Sequence, residues 1–571
     1  MEAQLTSQLT PQAAAVAQTA AALMNQCRFP EARQILAPLA RDYPDQVDLH
    51  FLLGAACLGA GELAAAEAAL SDALAIDPEH QRAAVDLARL LSAQGRPAEL
   101  LDWTAQAVEV DRPHEALLGE WARALAALGR SDEAVAFRRR AVALNPGKTH
   151  LLHNLAATQG DAGLNAHAED SARAALRMND RPETWLVLAR ALQGQNRFDE
   201  AETAFAEATV RRPTYVAALH DHAQLVWMRT GDLGAATAVL KRHTSPGVEG
   251  RPVRLIQAQL MQAAGDAEGA YASLTDDIRS DDVAALVMGA QLALALDPGA
   301  ALRHALRATA LAPKDRAAER ALIDAKLALG LAKEALEALA GPLRRAPFDQ
   351  GFIAAQWTAW RLIGDPRATA LYDYQNLIST GMIDAPPGWI SLSAYLHDLR
   401  AALLRLHGLT AHPLGQSLRH GAQTSANLLR SDDPAIRAFP AAIDATVRRH
   451  LSFIGSGDDI LRSRNTGAYR IQSMWSVRLA PNGFHTNHVH PEGWLSSACY
   501  IETPDDEEAG EHNGWLKFGE PGGPTSPSLA AQHLVRPEPG LLALFPSYMW
   551  HGTTPFRRGS RMSIAFDLAP A

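Results

Sequence analysis

Apolar and polar positions follow two different rhythms along this chain, and the change falls well past its middle. From about Asn25 to Leu343 the apolar residues recur at helical spacing, as in "ALAALGRSDEAVAFRRRAVALNP". Glycines interrupt that pattern at Gly61, Gly95, Gly129 and Gly163, each 34 residues after the last. Asn196-Arg197 takes the next place, and Gly231 and Gly265 continue the series. A proline follows each of the first turns, at Pro78, Pro113, Pro146, Pro182 and Pro213. The pattern predicts a helix, a glycine-assisted turn, a second helix and a proline-bearing loop that stops it. Small residues recur where the helices of a pair approach closely: Gly54, Ala66 and Ala73 in one unit, Ala122, Ala134 and Ala141 in another.

One such unit cannot bury its own apolar face, so the units must stack. The period and its markers are those of the tetratricopeptide repeat. About nine units are expected, with a degenerate end after Asp297-Pro298-Gly299, where the spacing to Gly330 falls out of phase. The concave face, lined by the first helix of each pair, is a candidate surface for a peptide or protein; a spacer or a dimerisation surface is the alternative.

From about Pro347 aromatics appear, and residues 346–385 read as a connector packed on the solenoid. Helices are expected in "LSAYLHDLRAALLRLHGL" and "AIRAFPAAIDATVRRHLSFI". After them the period moves toward two. "YRIQSMWSVRLA", ending at the turn signal Pro481-Asn482-Gly483, predicts a strand, as do "WLSSACYIETP", "GWLKFGEP", "GLLALFPSYMW" and "SRMSIAFDLAP". Short strands with long polar connections and no βαβ rhythm predict an antiparallel sandwich or barrel. The expected organisation is a tail or cap over 1–20, an all-α tetratricopeptide solenoid over 21–345, the connector, and an α+β domain over 386–571.

Charge and cysteine usage narrow the function classes. The 53 basic and 63 acidic side chains give a net charge of −10, which argues against a generally cationic nucleic-acid or membrane-surface binder. Cys27, Cys57 and Cys499 lie far apart, so neither a disulfide framework nor a thiolate zinc site is indicated. The opening residues lack a basic region and a long apolar core, and no later stretch has spanning character. A soluble, cytoplasmic protein is expected, with homo-oligomerisation left open.

The candidate chemistry lies in "HTNHVHPEG" and "WHG". In an extended segment i and i+2 share a face, so His488 and His490 can reach one point while Val489 turns away. His551, at a neighbouring strand end, would complete one face of an octahedron and leave positions open for small molecules, an arrangement that suits Fe(II). Zinc would accept the same imidazoles in a tetrahedral site with one water. A histidine-rich polar loop without a metal is the plainer reading.

From about Tyr395 to the end the chain resembles the 2-oxoglutarate–Fe(II) oxygenase family with a double-stranded β-helix (jelly-roll) core. The residues that carry the resemblance are Trp475, His488 and His490, Ser496-Ser497 with Tyr500, Phe545-Pro546-Ser547 leading to His551, and Arg561 with Ser563. "LGQSLRHGAQTSANLL" is similar to the family's helical preface. Most members hold iron with His-x-Asp/Glu and a distal histidine, and two registers are open in this chain. One is a three-histidine face of His488, His490 and His551, favoured because Pro491 should turn the chain away. The other takes His490 and Glu492 as the conventional pair, and suits the charge of Fe(II) better. The resemblance implies that 2-oxoglutarate chelates the metal through its 1-carboxylate and 2-keto oxygen. Arg561 would hold the far carboxylate with its fork, Ser563 on the same face would donate a hydroxyl, and Tyr500 would stand close by. It implies consumption of O₂, decarboxylation of 2-oxoglutarate to succinate, and hydroxylation of a target. A protein or peptide held by the repeats is the expected target. The alternatives are a small-molecule hydroxylase, a three-histidine dioxygenase of the cupin type that needs no 2-oxoglutarate, and a scaffold whose β-domain only binds.

Overall fold

The computed structural model describes residues 9–504 and 512–571, and the first eight residues of the expected tail lie outside them. The chain divides into two compact units, one ending at Ala191 and one running from Leu192 to Ala571. That division falls inside the repeat array, not at residue 346. Among the described residues no helix is long and apolar enough to cross a membrane.

Paired helices fill the first unit, and the turns between them obey a backbone requirement. Gly61, Gly95, Gly129 and Gly163 all have positive φ, between 69° and 76°. Left-handed backbone is cheapest for glycine, which explains the 34-residue punctuation. Cys27 has φ 58° at the position one period before Gly61, so the first pair is Pro11–Asn25 with Phe29–Asp42. The array therefore begins about ten residues earlier than the glycine count indicated. Ala66, Ala73, Ala122, Ala134 and Ala141 are buried as expected. At Gly54 an added Cβ would lie 2.6 Å from Leu70 Cγ, so the helices Val47–Gly59 and Leu63–Ile76 pack too closely there for any side chain.

The second unit contains further pairs, up to Arg316–Ala328 with Ala332–Arg345. Its turns use Asn196, Gly231 and Gly265 with positive φ, then lose phase at the glycine-free turn before Asp297, whose side chain caps the next helix. Among the described residues nine strands follow: β1 (Ser379–Met382), β2 (Leu418–Gln423), β3 (Tyr469–His485), β4 (Leu495–Glu502), β5 (Leu516–Phe518), β6 (His533–Val535), β7 (Leu541–Pro546), β8 (His551–Thr553) and β9 (Arg561–Pro570). They form two antiparallel sheets, ordered β1-β7-β4-β9-β3-β2 and β6-β5-β8, in keeping with the expected double-stranded β-helix core. The helices Leu392–Leu406 and Phe439–Ile454 pack into the core of the larger sheet.

Two expectations are corrected. "LGQSLRHGAQTSANLL" is not helical: it supplies β2, which pairs with β3 from Leu418 opposite His485. Residues 346–385 are more than a connector packed on the solenoid. They donate the edge strand β1 and a buried aromatic stack in which Trp357 and Tyr372 rings lie 3.8 Å apart. The Tyr372 hydroxyl donates to Tyr548 O at 2.6 Å and accepts from Trp550 N at 2.9 Å. Trp550 Nε1 donates to Thr358 Oγ1 at 2.9 Å. This segment thus fixes the backbone immediately before His551, and a fragment beginning at 386 would lack both strand and stack.

Candidate metal centre

His551 faces His488 across a backbone bridge. His488 N donates to His551 O at 2.8 Å, and His551 N donates to His488 O at 3.1 Å. His490 N donates to Ser547 O at 3.1 Å, so both ends of the histidine segment are pinned to the loop after β7. Strand alternation then puts His488 and His490 on one side, with Val489 packed against the core. One ring nitrogen from each of His488, His490 and His551 lies within 4.8 Å of the other two.

Hydrogen bonds decide which nitrogen that can be. His488 Nδ1 donates to Thr486 O at 2.9 Å and His551 Nδ1 to Met549 O at 2.9 Å. His490 Nδ1 donates to Asp567 Oδ1 at 2.6 Å. A carbonyl or carboxylate oxygen can only accept, so each Nδ1 carries the proton and each Nε2 keeps its lone pair. Burial and the neighbouring imidazoles push His488 down to about 3 and His551 well below its ordinary range, so both rings are neutral. Three imidazoles whose ring nitrogens converge, each with its Nδ1 held by an oxygen acceptor, fit a divalent ion. Glu492 is exposed and outside this group.

Asp567 is the residue that the sequence reading missed. Its Oδ1 also accepts from Ser496 Oγ at 2.9 Å, and Ser496 lies 2.9 Å from Ser547 Oγ. Ser417 was missed as well: its hydroxyl lies 3.3 Å from His488 Nε2 and 3.0 Å from His485 Nδ1. A signal for Asp567 was present. On β9 the residues Arg561, Ser563, Ala565 and Asp567 line the cavity, while Met562, Ile564, Phe566 and Leu568 pack into the core. An acid at the end of that alternation points where the arginine points.

Arg561 is 2 % exposed, and its Nε and Nη1 have no hydrogen-bonding partner among the described residues. Its guanidinium lies 5.0 Å from the centre of the Tyr500 ring. The Tyr500 hydroxyl is buried and also unpartnered. Burial pulls the arginine's proton affinity down, and only the tyrosine works in the other direction. A desolvated cation with unused donors is costly unless an anion meets it. The site therefore fits a carboxylate, the group that 2-oxoglutarate would present. Ser563 lines the same cavity, whereas Tyr500 lies behind Arg561 and outside the lining.

The cavity has a volume of about 1140 Å³. One wall holds the three histidines and the Arg561 face of β9. The other holds His220, Gln259, Gln262, Met288, Gln291 and Arg316, all from the first helices of their pairs. Residues 412–417, which lead into β2, join the two walls: Trp227 Nε1 donates to His412 O at 2.9 Å, and Leu414 N to Gln224 Oε1 at 3.0 Å. Gly552 permits the crossing of the histidine segments, because a Cβ there would lie 2.4 Å from Asn487 Oδ1 and 2.9 Å from His485 O.

Residues 473–567 match the family model described as "Putative 2OG-Fe(II) oxygenase", a span that contains the three histidines, Arg561 and Asp567. Residues 58–99, 154–215 and 186–248 match tetratricopeptide-repeat models. No curated protein matches the chain. Similar solved structures include YrrB, a TPR protein with an unusual peptide-binding site, at 16 % identity over 33 % of this chain and 96 % of that one, TM-score 0.30. A tetratricopeptide repeat protein from Parabacteroides merdae is 15 % identical over 49 % of this chain and 98 % of that one, TM-score 0.34. Yeast Tom70 is 13 % identical over 63 % of this chain and 97 % of that one, TM-score 0.28. This chain thus joins tetratricopeptide repeats to a C-terminal domain that matches that oxygenase family.

Proposed function

We propose that the protein is an Fe(II)- and 2-oxoglutarate-dependent dioxygenase that hydroxylates a side chain of a protein or peptide held by its repeats. One observation carries the reading: the cavity that holds the histidine triad and Arg561 has its opposite wall built from the first helices of the repeats. A small keto acid and an ion need far less than about 1140 Å³, which leaves room for a segment of a larger substrate.

In this reading His488, His490 and His551 hold the iron through Nε2. Asp567 holds His490 in orientation and places a carboxylate behind that ligand, offsetting the absence of a carboxylate among the ligands. Arg561 pairs with the far carboxylate of 2-oxoglutarate, Ser563 donates to it, and Tyr500 supports the guanidinium from behind. When bound, iron and 2-oxoglutarate supply the oxidation: O₂ is divided between succinate, formed with loss of CO₂, and the hydroxylated product. The chain's own work is to keep the imidazoles oriented and convergent, to exclude water from Arg561, and to present one C–H bond at the iron.

The test uses the full-length chain loaded anaerobically with Fe(II). Conversion of 2-oxoglutarate to succinate is expected, and it should disappear in His488→Ala, His490→Ala and His551→Ala. Incubation with a lysate of the host, followed by mass spectrometry, should reveal a polypeptide heavier by one oxygen. Turnover that survives loss of the triad, or a product found only among small molecules, would refute this reading.

A further inference from the structure

The cavity contains groups that neither iron nor 2-oxoglutarate uses. Gln259 and Gln262 stand on the helix Arg251–Ala263, and Gln291 on the first helix of the following pair, Val283–Ala293. These residues line the cavity, Gln259 half-buried and Gln262 and Gln291 exposed, and their side chains make no hydrogen bonds to other described residues. A carboxamide presents an acceptor and two donors in one plane, which matches the alternating C=O and N–H groups of an extended peptide. An anionic or apolar ligand would leave half of that capacity unused. No carboxylate lines the cavity from the repeat side.

The second observation is a cation without a counter-charge. Arg419 lines the same cavity two residues beyond Ser417, whose hydroxyl lies 3.3 Å from His488 Nε2. Arg419 Nη1 donates to Gln416 O at 2.6 Å and to Leu418 O at 2.8 Å, and no carboxylate among the described residues pairs with it. The side chain is partly buried, and that burial pulls its proton affinity down with no described acid to compensate. The other cations of the lining are accounted for. Arg316 is paired with Asp349 at 2.6 Å, and Arg561 faces the co-substrate position. Of the two acids in the lining, Asp567 is engaged by His490 and Ser496, and Glu492 is exposed near Arg316. Among the described residues the lining supplies no anion for Arg419.

We propose that the cavity binds an extended acidic peptide segment, its backbone amides bonded by Gln259, Gln262 and Gln291 and one of its carboxylates paired with Arg419. The inference rests on the function proposed above and specifies the substrate class of the same site. Arg419 stands at the start of β2, two residues beyond Ser417, so the paired acid sits close in sequence to the residue offered to the iron.

The experiment pans a random peptide library against the full-length chain loaded with Mn(II) and 2-oxoglutarate in the absence of O₂. Selected peptides should share an aspartate or glutamate at one position. Amidated and free C-termini, synthesised in parallel, distinguish a side-chain carboxylate from a terminal one. Replacing that acid by its amide should weaken binding at least about tenfold. Arg419→Gln should abolish the preference for an acid, and Arg419→Glu should shift it to lysine or arginine. The double variant Gln259→Ala/Gln291→Ala should weaken the same peptides by about tenfold or more. All three variants should retain the parent's affinity for 2-oxoglutarate. Should the Arg419 variants fail to fold, the peptide-side replacement and the glutamine variant still decide. Selection of peptides with no shared acid, of no peptides at all, or of peptides indifferent to the glutamine variant would overturn the inference. Failure of the parent chain to convert 2-oxoglutarate to succinate would strike the proposed function instead. Succinate formation without acidic-peptide selection overturns this inference alone.

Discussion

Asp567 allows the sharpest test of the metal centre, because its carboxylate touches a ligand and not the metal position. Its Oδ1 lies 2.6 Å from His490 Nδ1 and 2.9 Å from Ser496 Oγ. Asp567→Asn keeps the shape and removes the charge. The amide can still accept from Nδ1, but it no longer places a negative charge behind the imidazole. If it rotates, its NH₂ faces Nδ1 and favours the tautomer that protonates Nε2, which cannot bind metal. Loss of an oriented partner behind a ligand histidine weakens metal binding roughly 10–100-fold, or about 1.4–2.7 kcal/mol. A hydrogen bond to a charged group is independently worth about 1.5–3 kcal/mol, so the two estimates agree. Calorimetric titration with Co(II) measures the affinity, and the visible absorption of bound Co(II) reports coordination without any need for activity. Asp567→Ala should cost more, since it removes the acceptor of both His490 Nδ1 and Ser496 Oγ. Thermal unfolding of both variants separates a loss of fold from a loss of metal. An Asp567→Asn chain that binds Co(II) within about threefold of the parent, with an unchanged spectrum, would refute the positioning role.

Other perturbations have defined outcomes. Glu492→Ala should leave Co(II) affinity nearly unchanged, since Glu492 is exposed and outside the histidine group; abolition of binding would restore the His490–Glu492 register. Arg561→Ala should raise the 2-oxoglutarate concentration needed by at least about tenfold while metal binding persists, as read by titration of the metal-loaded variant. Tyr372→Phe removes the hydroxyl that serves both Tyr548 O and Trp550 N, and should destabilise the second unit by about 1–3 kcal/mol in urea unfolding. His407 and His450 are each lowered to about 4 by burial, below the ordinary 6.5, so the unfolded chain takes up their protons first. Their contribution is complete above about pH 6.5 and is lost as pH falls toward 4, by at most about 3 kcal/mol each, and urea midpoints across that window should decline.

Much of this architecture could be read from local pattern. The repeat glycines were visible because left-handed turns favour glycine wherever they occur. Cys27 occupies an equivalent turn with φ 58°, and it was invisible because a count of glycines passes over any other residue in that conformation. The strands β3, β4, β5, β7 and β9 were visible through alternation or short apolar runs. β1, β2, β6 and β8 were not, because an edge strand draws its stability from the neighbour it pairs with and carries little periodic signal of its own. "LSAYLHDLRAALLRLHGL" matched its helix because its apolar stripe and its Ser391 cap are both local.

The amino-acid sequence by itself determined what depends on short spacings: the 34-residue repeat, the two-residue periodicity of the sheet strands, and a His488–His490 pair able to face one point. Tertiary structure decided what depends on residues distant in the chain. It brought Asp567 onto His490 across 77 positions, and linked Trp550 beside His551 to Thr358 across 192. It also set the glutamines of two repeat helices and the unpaired Arg419 around the same cavity as the histidines. Such contacts arise from strand pairing and helix stacking that close long loops, and the entropy of closing those loops is met by the whole buried core. No single segment carries that information, because no single segment supplies the stability that holds the contact.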